Sequence, residues 1–103
     1  MERKIYLLNA FSLNMFRNLN AKIDLTEVSR ERVFDPEKQP LISAIGHADT
    51  AAVLGVECNR INVVLGEDDV AYVAQLQGGR LPEGCTTLPE GFEFKFVRVD
   101  VTY

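Results

Sequence analysis

Phe92 to Val101 alternate apolar and polar side chains, a period-two pattern that belongs to an extended strand. Phe92, Phe94 and Phe96 share one parity, while Val97, Val99 and Val101 take the other. The change of phase is read as a β-bulge, where one extra residue turns the following side chains over. A strand this long needs pairing partners and a core to cover it. Lys4 to Leu8 (Lys-Ile-Tyr-Leu-Leu) supplies a first partner, apolar enough to be buried on both faces. Lys22 to Val28 alternates in the same strand fashion. Ile61 to Leu65 and Val70 to Leu76 flank Gly66-Glu67-Asp68-Asp69, which reads as a hairpin turn.

Between these strands the pattern becomes helical. Ser12 is placed to cap a short helix running through Leu19. A second helix is predicted from near Asp49 through Leu54, closed by Gly55. It follows the short apolar run Leu41 to Ile45. Arg30 to Gln39, with Pro36 inside it and Pro40 behind, reads as a loop with some local structure. The tetrapeptide Leu-Pro-Glu-Gly occurs at 81–84 and again at 88–91, and each copy reads as a turn. The expectation is one α/β domain over residues 1–103, with a mixed sheet of about five strands and two or more helices.

Charge narrows the function classes. Fifteen acids outnumber 11 bases, the formal net charge is −4, and no basic tract exceeds two residues. A protein that grips duplex nucleic acid along its backbone carries a basic surface, so duplex binding is not expected. A small anionic ligand in a local pocket needs only a few donors and stays open. No secretory signal is read at the N-terminus, and no apolar run approaches the roughly 20 residues of a membrane span. A cytoplasmic protein is expected. Cys58 and Cys85 do not form a CxxC pair, and the single histidine rules out a zinc site of the usual Cys/His make-up. Both thiols read as small buried or neutral positions. Glu67, Asp68 and Asp69 are simpler as a solvated turn than as metal ligands.

Three segments carry possible chemistry. His47 is the one side chain of a type suited to proton transfer near neutrality, and it sits between Gly46 and a helix start. A lone loop histidine is otherwise an ordinary surface residue. Asn9-Ala10-Phe11-Ser12-Leu13-Asn14 clusters amide and hydroxyl groups where a strand gives way to a helix, a place that favours phosphate. Gln75-Leu76-Gln77-Gly78-Gly79-Arg80 combines glycines that admit close approach with a forked phosphate donor, and Glu83 follows. Each of the last two segments also has a plain reading, as a satisfied turn and as a solvated loop.

Taken in order, Leu8 to Met15, Leu41 to His47 and Arg80 to Gly84 resemble the viral anti-CRISPR ring nucleases of type III systems, a family with relatives in phages, bacterial genomes and CRISPR loci. The resemblance covers nearly the whole chain. It implies a homodimer of mixed-sheet α/β subunits with a ligand pocket between them. It further implies a metal-independent, cofactor-free ribonuclease that cleaves cyclic tetra-adenylate and so switches off type III CRISPR signalling. The family's catalytic histidine falls on His47. Its ligand-contacting asparagine and serine positions fall on Asn9, Ser12 and Asn14, and its arginine and glutamate pair on Arg80 and Glu83. Arg60 and Gln75 look like further ligand-binding positions, although the spacing between Arg60 and Arg80 is shifted by about one residue. On that reading His47 is a general acid, Arg80 holds phosphate and Glu83 serves the catalytic step. The alternative is a binder that sequesters the cyclic nucleotide without cutting it.

Overall fold

The long C-terminal strand is present, and it is straight in register. The computed structural model describes residues 4–35, 40–66 and 69–103. Five strands form one sheet: β1 (Ile5–Leu8), β2 (Lys22–Val28), β3 (Ile42–Ser43), β4 (Val70–Gln77) and β5 (Glu93–Thr102). Their order across the sheet is β2-β5-β4-β1-β3. β1 runs parallel to β3 and β4, whereas β5 runs antiparallel to β4 and β2. The sheet is therefore mixed, as expected.

The bulge expected in β5 does not form. Its pairing with β4 and with β2 proceeds one residue at a time, from Gln77↔Glu93 to Ala71↔Val99 and from Val28↔Phe96 to Lys22↔Thr102. The shift of parity has another cause. Phe94 and Phe96 face one core cluster, with Leu7, Val33, Leu54 and Tyr72. Val99 and Val101 face a second, with Leu8, Phe16, Val63 and Leu65 on the other side of the sheet. One regular strand thus buries opposite faces at its two ends. Where the first face is left uncovered, it carries Arg98 and Asp100, an ion pair at 3.0 Å two residues apart on one side.

The first helix is shorter than the sequence suggested. After β1 the chain makes a single 3-10 turn at Leu13–Met15, and Ser12 caps it without a side-chain hydrogen bond. No helix continues to Leu19. Instead, Phe16 and Met15 turn inward and bury against the second cluster. Within the stretch expected to be a loop, Arg30–Val33 forms the one-turn helix α1, whose first turn Ser29 Oγ caps by accepting from Arg32 N at 3.3 Å. Val33 is buried there, and Phe34 meets Phe96 edge-on at 5.8 Å. Helix α2 (Ala48–Leu54) closes at Gly55 in the left-handed conformation, φ 75°, as predicted.

The expected hairpin is absent. β4 already uses both edges, one for β1 and one for β5, which leaves no place for a strand at 61–65. Val63 and Leu65 bury as irregular chain instead, with Leu65 N donating to Met15 O at 2.7 Å. Asp69 closes the turn before β4: its carboxylate accepts from Gly66 N at 2.8 Å and from Lys4 N at 3.1 Å. Glu67 and Asp68, read as part of a solvated tip, lie outside the described residues, as does Pro36. Cys58 is a free, exposed thiol rather than a buried one, and Cys85 is free and half-buried. Among the described residues, no helix is long and apolar enough to cross a membrane.

Candidate functional site

Parallel pairing brings the three motif segments to one end of the sheet. Because β1, β3 and β4 point the same way side by side, their carboxyl ends coincide. The chain leaves β1 at Asn9, leaves β3 into Ala44–His47, and leaves β4 into Gly78–Arg80. Segments up to 71 positions apart in sequence come to that end of the sheet, the location where open α/β sheets hold ligands.

His47 occupies the N-cap of α2 with extended backbone, φ −113° and ψ 123°, and its carbonyl accepts from Ala51 N at 3.0 Å. Its side chain makes no capping hydrogen bond and is exposed. Ser, Thr, Asp or Asn would satisfy the first-turn N–H groups there, so histidine gives up a local stabilisation. Breaks with local rules of this kind concentrate at functional positions.

The backbone behind His47 is fastened from several directions. Ala44 N donates to Leu7 O at 2.8 Å, and Asn59 N donates to Ile45 O at 2.9 Å. Asn59 Nδ2 donates to Ser43 O at 2.9 Å, and Arg60 Nε donates to Gly46 O at 2.9 Å. Gly46 N reaches Asn9 Oδ1 at 3.5 Å, a long contact that nonetheless puts the first motif beside the second. Ile45 is fully buried one residue before Gly46. The histidine is thus an exposed side chain on a fixed base.

Facing it lies a cleft of about 310 Å³ lined by His47, Asp49, Thr50, Leu76, Arg80 and Leu81. An imidazole and a forked guanidinium, those of His47 and Arg80, thus share its walls. Gly78 and Gly79, at φ 110° and 122°, turn the chain out of β4 to present Arg80. Gly78 is obligatory: a Cβ there would stand 2.6 Å from Gly91 O and 3.0 Å from Phe92 Cα. The loop returns to α2 at Gly84, whose N donates to Asp49 Oδ1 at 3.3 Å, so Glu83 is adjacent to that attachment.

The other expected positions divide. Arg60 sits directly behind the His47 backbone and supports it. Ser12 and Asn14 are exposed on the segment that follows Asn9. Gln75 lies on the opposite face of β4 from Leu76, where its Oε1 accepts from Gln77 Nε2 at 3.1 Å, and it is not part of the cleft. Asp49 and Thr50 line the cleft and had been read only as helix. Their place two and three residues after His47, on the first turn of the same helix, was the available signal. Among the described residues, no three His, Cys, Asp or Glu side chains cluster as a metal site would require.

The chain matches the model of the STIV B116-like family over residues 5–96. Among solved structures, it is similar to B116 of Sulfolobus turreted icosahedral virus, with a TM-score of 0.71 and 26% sequence identity, covering 94% of this chain and 98% of that one. No curated protein matches it.

Proposed function

This chain belongs to the STIV B116-like family, and from that footing we propose that it is a ring nuclease, cleaving cyclic tetra-adenylate in the cytoplasm without metal or cofactor. The observation that carries the reading is the shared cleft of His47 and Arg80 at the carboxyl ends of three parallel strands. RNA supplies its own nucleophile. The ribose 2′-oxygen attacks the adjacent phosphorus as its proton passes to solvent water, the P–O5′ bond breaks, and a 2′,3′-cyclic phosphate remains. His47 donates a proton to the departing 5′-oxygen, a role worth about 10²–10⁴-fold in rate. Arg80 holds the phosphate and stabilises its developing charge. Glu83 orients Arg80 or the 2′-hydroxyl, while Asn9, Ser12 and Asn14 contact the ring.

A two-fold dimer matches the symmetry of a four-nucleotide ring and sets one His47 at each of two opposite phosphates. Support for a partner at this end comes from Phe11 and Leu13, apolar side chains 38% and 65% exposed within the Asn9–Asn14 segment. Two cuts release two di-adenylates. The negative net charge does not oppose this, because donors from two subunits converge on one pocket.

The test is incubation of the pure protein with cyclic tetra-adenylate in excess EDTA, with products identified by mass. The expected product is di-adenylate bearing a 2′,3′-cyclic phosphate, or the phosphate it hydrolyses to. Cleavage that requires added magnesium overturns the mechanism, and tight binding without cleavage replaces it with sequestration.

A further inference from the structure

Asp49 poses a question that the proposed chemistry leaves unanswered. Its carboxylate lines a cleft read here as a phosphate pocket, where a bare negative charge repels the ligand. In the structure that carboxylate is engaged: Oδ1 accepts from Gly84 N at 3.3 Å, bridging 35 positions of sequence from the first turn of α2 to the Arg80–Glu83 loop. Among the described residues, the other hydrogen bonds of this loop are internal. Cys85 N donates to Pro82 O at 3.3 Å, Cys85 Sγ contacts Thr87 O, and Phe92 N donates to Pro89 O at 3.2 Å. They shape the two Leu-Pro-Glu-Gly turns without attaching them to the helix. At the base of the loop, Gly78 packs on Gly91 and Phe92 and fixes where it emerges. Farther out, Arg80, Glu83 and Gly84 are all exposed, and Gly84 has φ 76° with open space where a Cβ would stand.

We propose that Asp49 is a positioning residue, a latch that holds the Arg80–Glu83 loop against α2 and so sets the distance between Arg80 and His47. This rests on the ring-nuclease reading for its consequence and on the Asp49–Gly84 contact for its mechanism. A held loop loses less conformational freedom when the ring binds. Asp49 therefore governs affinity rather than the bond-breaking step. The required feature is an acceptor oxygen at that place, not its charge. An acid in the first turn of a helix also favours the helix dipole, and the choice of variants separates the two roles.

The experiment compares wild type, Asp49→Ala and Asp49→Asn in the full chain by three measurements: hydrogen exchange of the Gly84 amide by NMR, the dissociation constant for cyclic tetra-adenylate, and the single-turnover rate at saturation. Asparagine keeps Oδ1 as an acceptor and loses the charge. In Asp49→Ala, Gly84 exchange should accelerate about fivefold or more and affinity weaken about tenfold, with the saturated rate within about twofold of wild type. Asp49→Asn should keep the wild-type exchange and bind the ring at least as tightly as wild type, because the acceptor stays while the repelling charge goes. Equal Gly84 exchange in all three proteins overturns the latch, and so does an asparagine variant that behaves like alanine. A faster-exchanging Gly84 without loss of affinity overturns its role in binding. If wild-type protein neither binds nor cuts the ring, the nuclease reading fails, while Gly84 exchange still decides whether the latch exists.

Discussion

The two sides of the cleft are built differently. The His47 side is short and anchored: Ala44, Ile45 and Gly46 are hydrogen-bonded to Leu7, Asn59 and Arg60, and Ile45 is fully buried among the core side chains. The Arg80 side is a loop between β4 and β5 with four glycines at positive φ, mostly exposed, fixed at its base by Gly78 and tied back at Gly84. On the proposed reading, the difference matches two chemical demands. A proton donor must stand at a defined point relative to a leaving oxygen, since displacements on the order of 1 Å can cost about 10²-fold. On the same reading, the loop that holds phosphate must leave the cleft open enough for a bulky polyanion to enter.

Removing His47 should sharpen the contrast most. His47→Ala is expected to lower the single-turnover cleavage rate by about 10²–10⁴-fold while leaving affinity for the ring nearly unchanged, because a general acid acts in the transition state. The fold should survive, since the side chain is exposed and makes no capping bond. Circular dichroism of the variant beside rapid-quench kinetics checks both halves. Equal rates would remove His47 from the mechanism.

Breaking the base of the loop comes next. Gly78→Ala places a methyl group against Gly91 O and Phe92 Cα, both backbone atoms that cannot swing aside, at a φ that side chains rarely adopt. A loss of about 2–4 kcal/mol of stability is expected in urea unfolding. A change under 0.5 kcal/mol would mean that the loop base is adaptable, and that the two sides of the cleft are less distinct than described.

The smallest expected effect is at Arg80 itself. Arg80→Ala should weaken binding of the ring by about 1.5–3 kcal/mol, the worth of a charge-assisted contact, and slow cleavage as well, with no loss of fold because the side chain is exposed. Isothermal titration of wild type and variant measures it. An unchanged dissociation constant would return this loop to plain solvated chain and leave His47 without a partner.

Several features were legible in the residues because their physics is local. An unbroken apolar run marked β1, and period-two alternation marked β2 and the span of β5, since side chains of a strand must alternate between faces. Gly55 marked the end of α2, because a left-handed terminal residue suits the one side chain without a Cβ penalty. The segments around Asn9, His47 and Arg80 were also visible as clusters of donors beside turns. Other features depended on what packs where. The parity change in β5 was decided by two cores on opposite faces of the sheet, and the fate of Ile61 to Leu65 by the absence of a free edge on β4. Gln75 turned away from the cleft because the strand's alternation assigns that face to Leu76. Asp49 acquired a partner 35 positions away only when parallel strands brought two loops to one end of the sheet. Sequence by itself therefore determined most of the strands, the close of α2 and the chemistry available, all of which follow from near neighbours. Tertiary structure alone decided which of those groups meet, because contact between distant segments depends on strand order and pairing that no local pattern encodes.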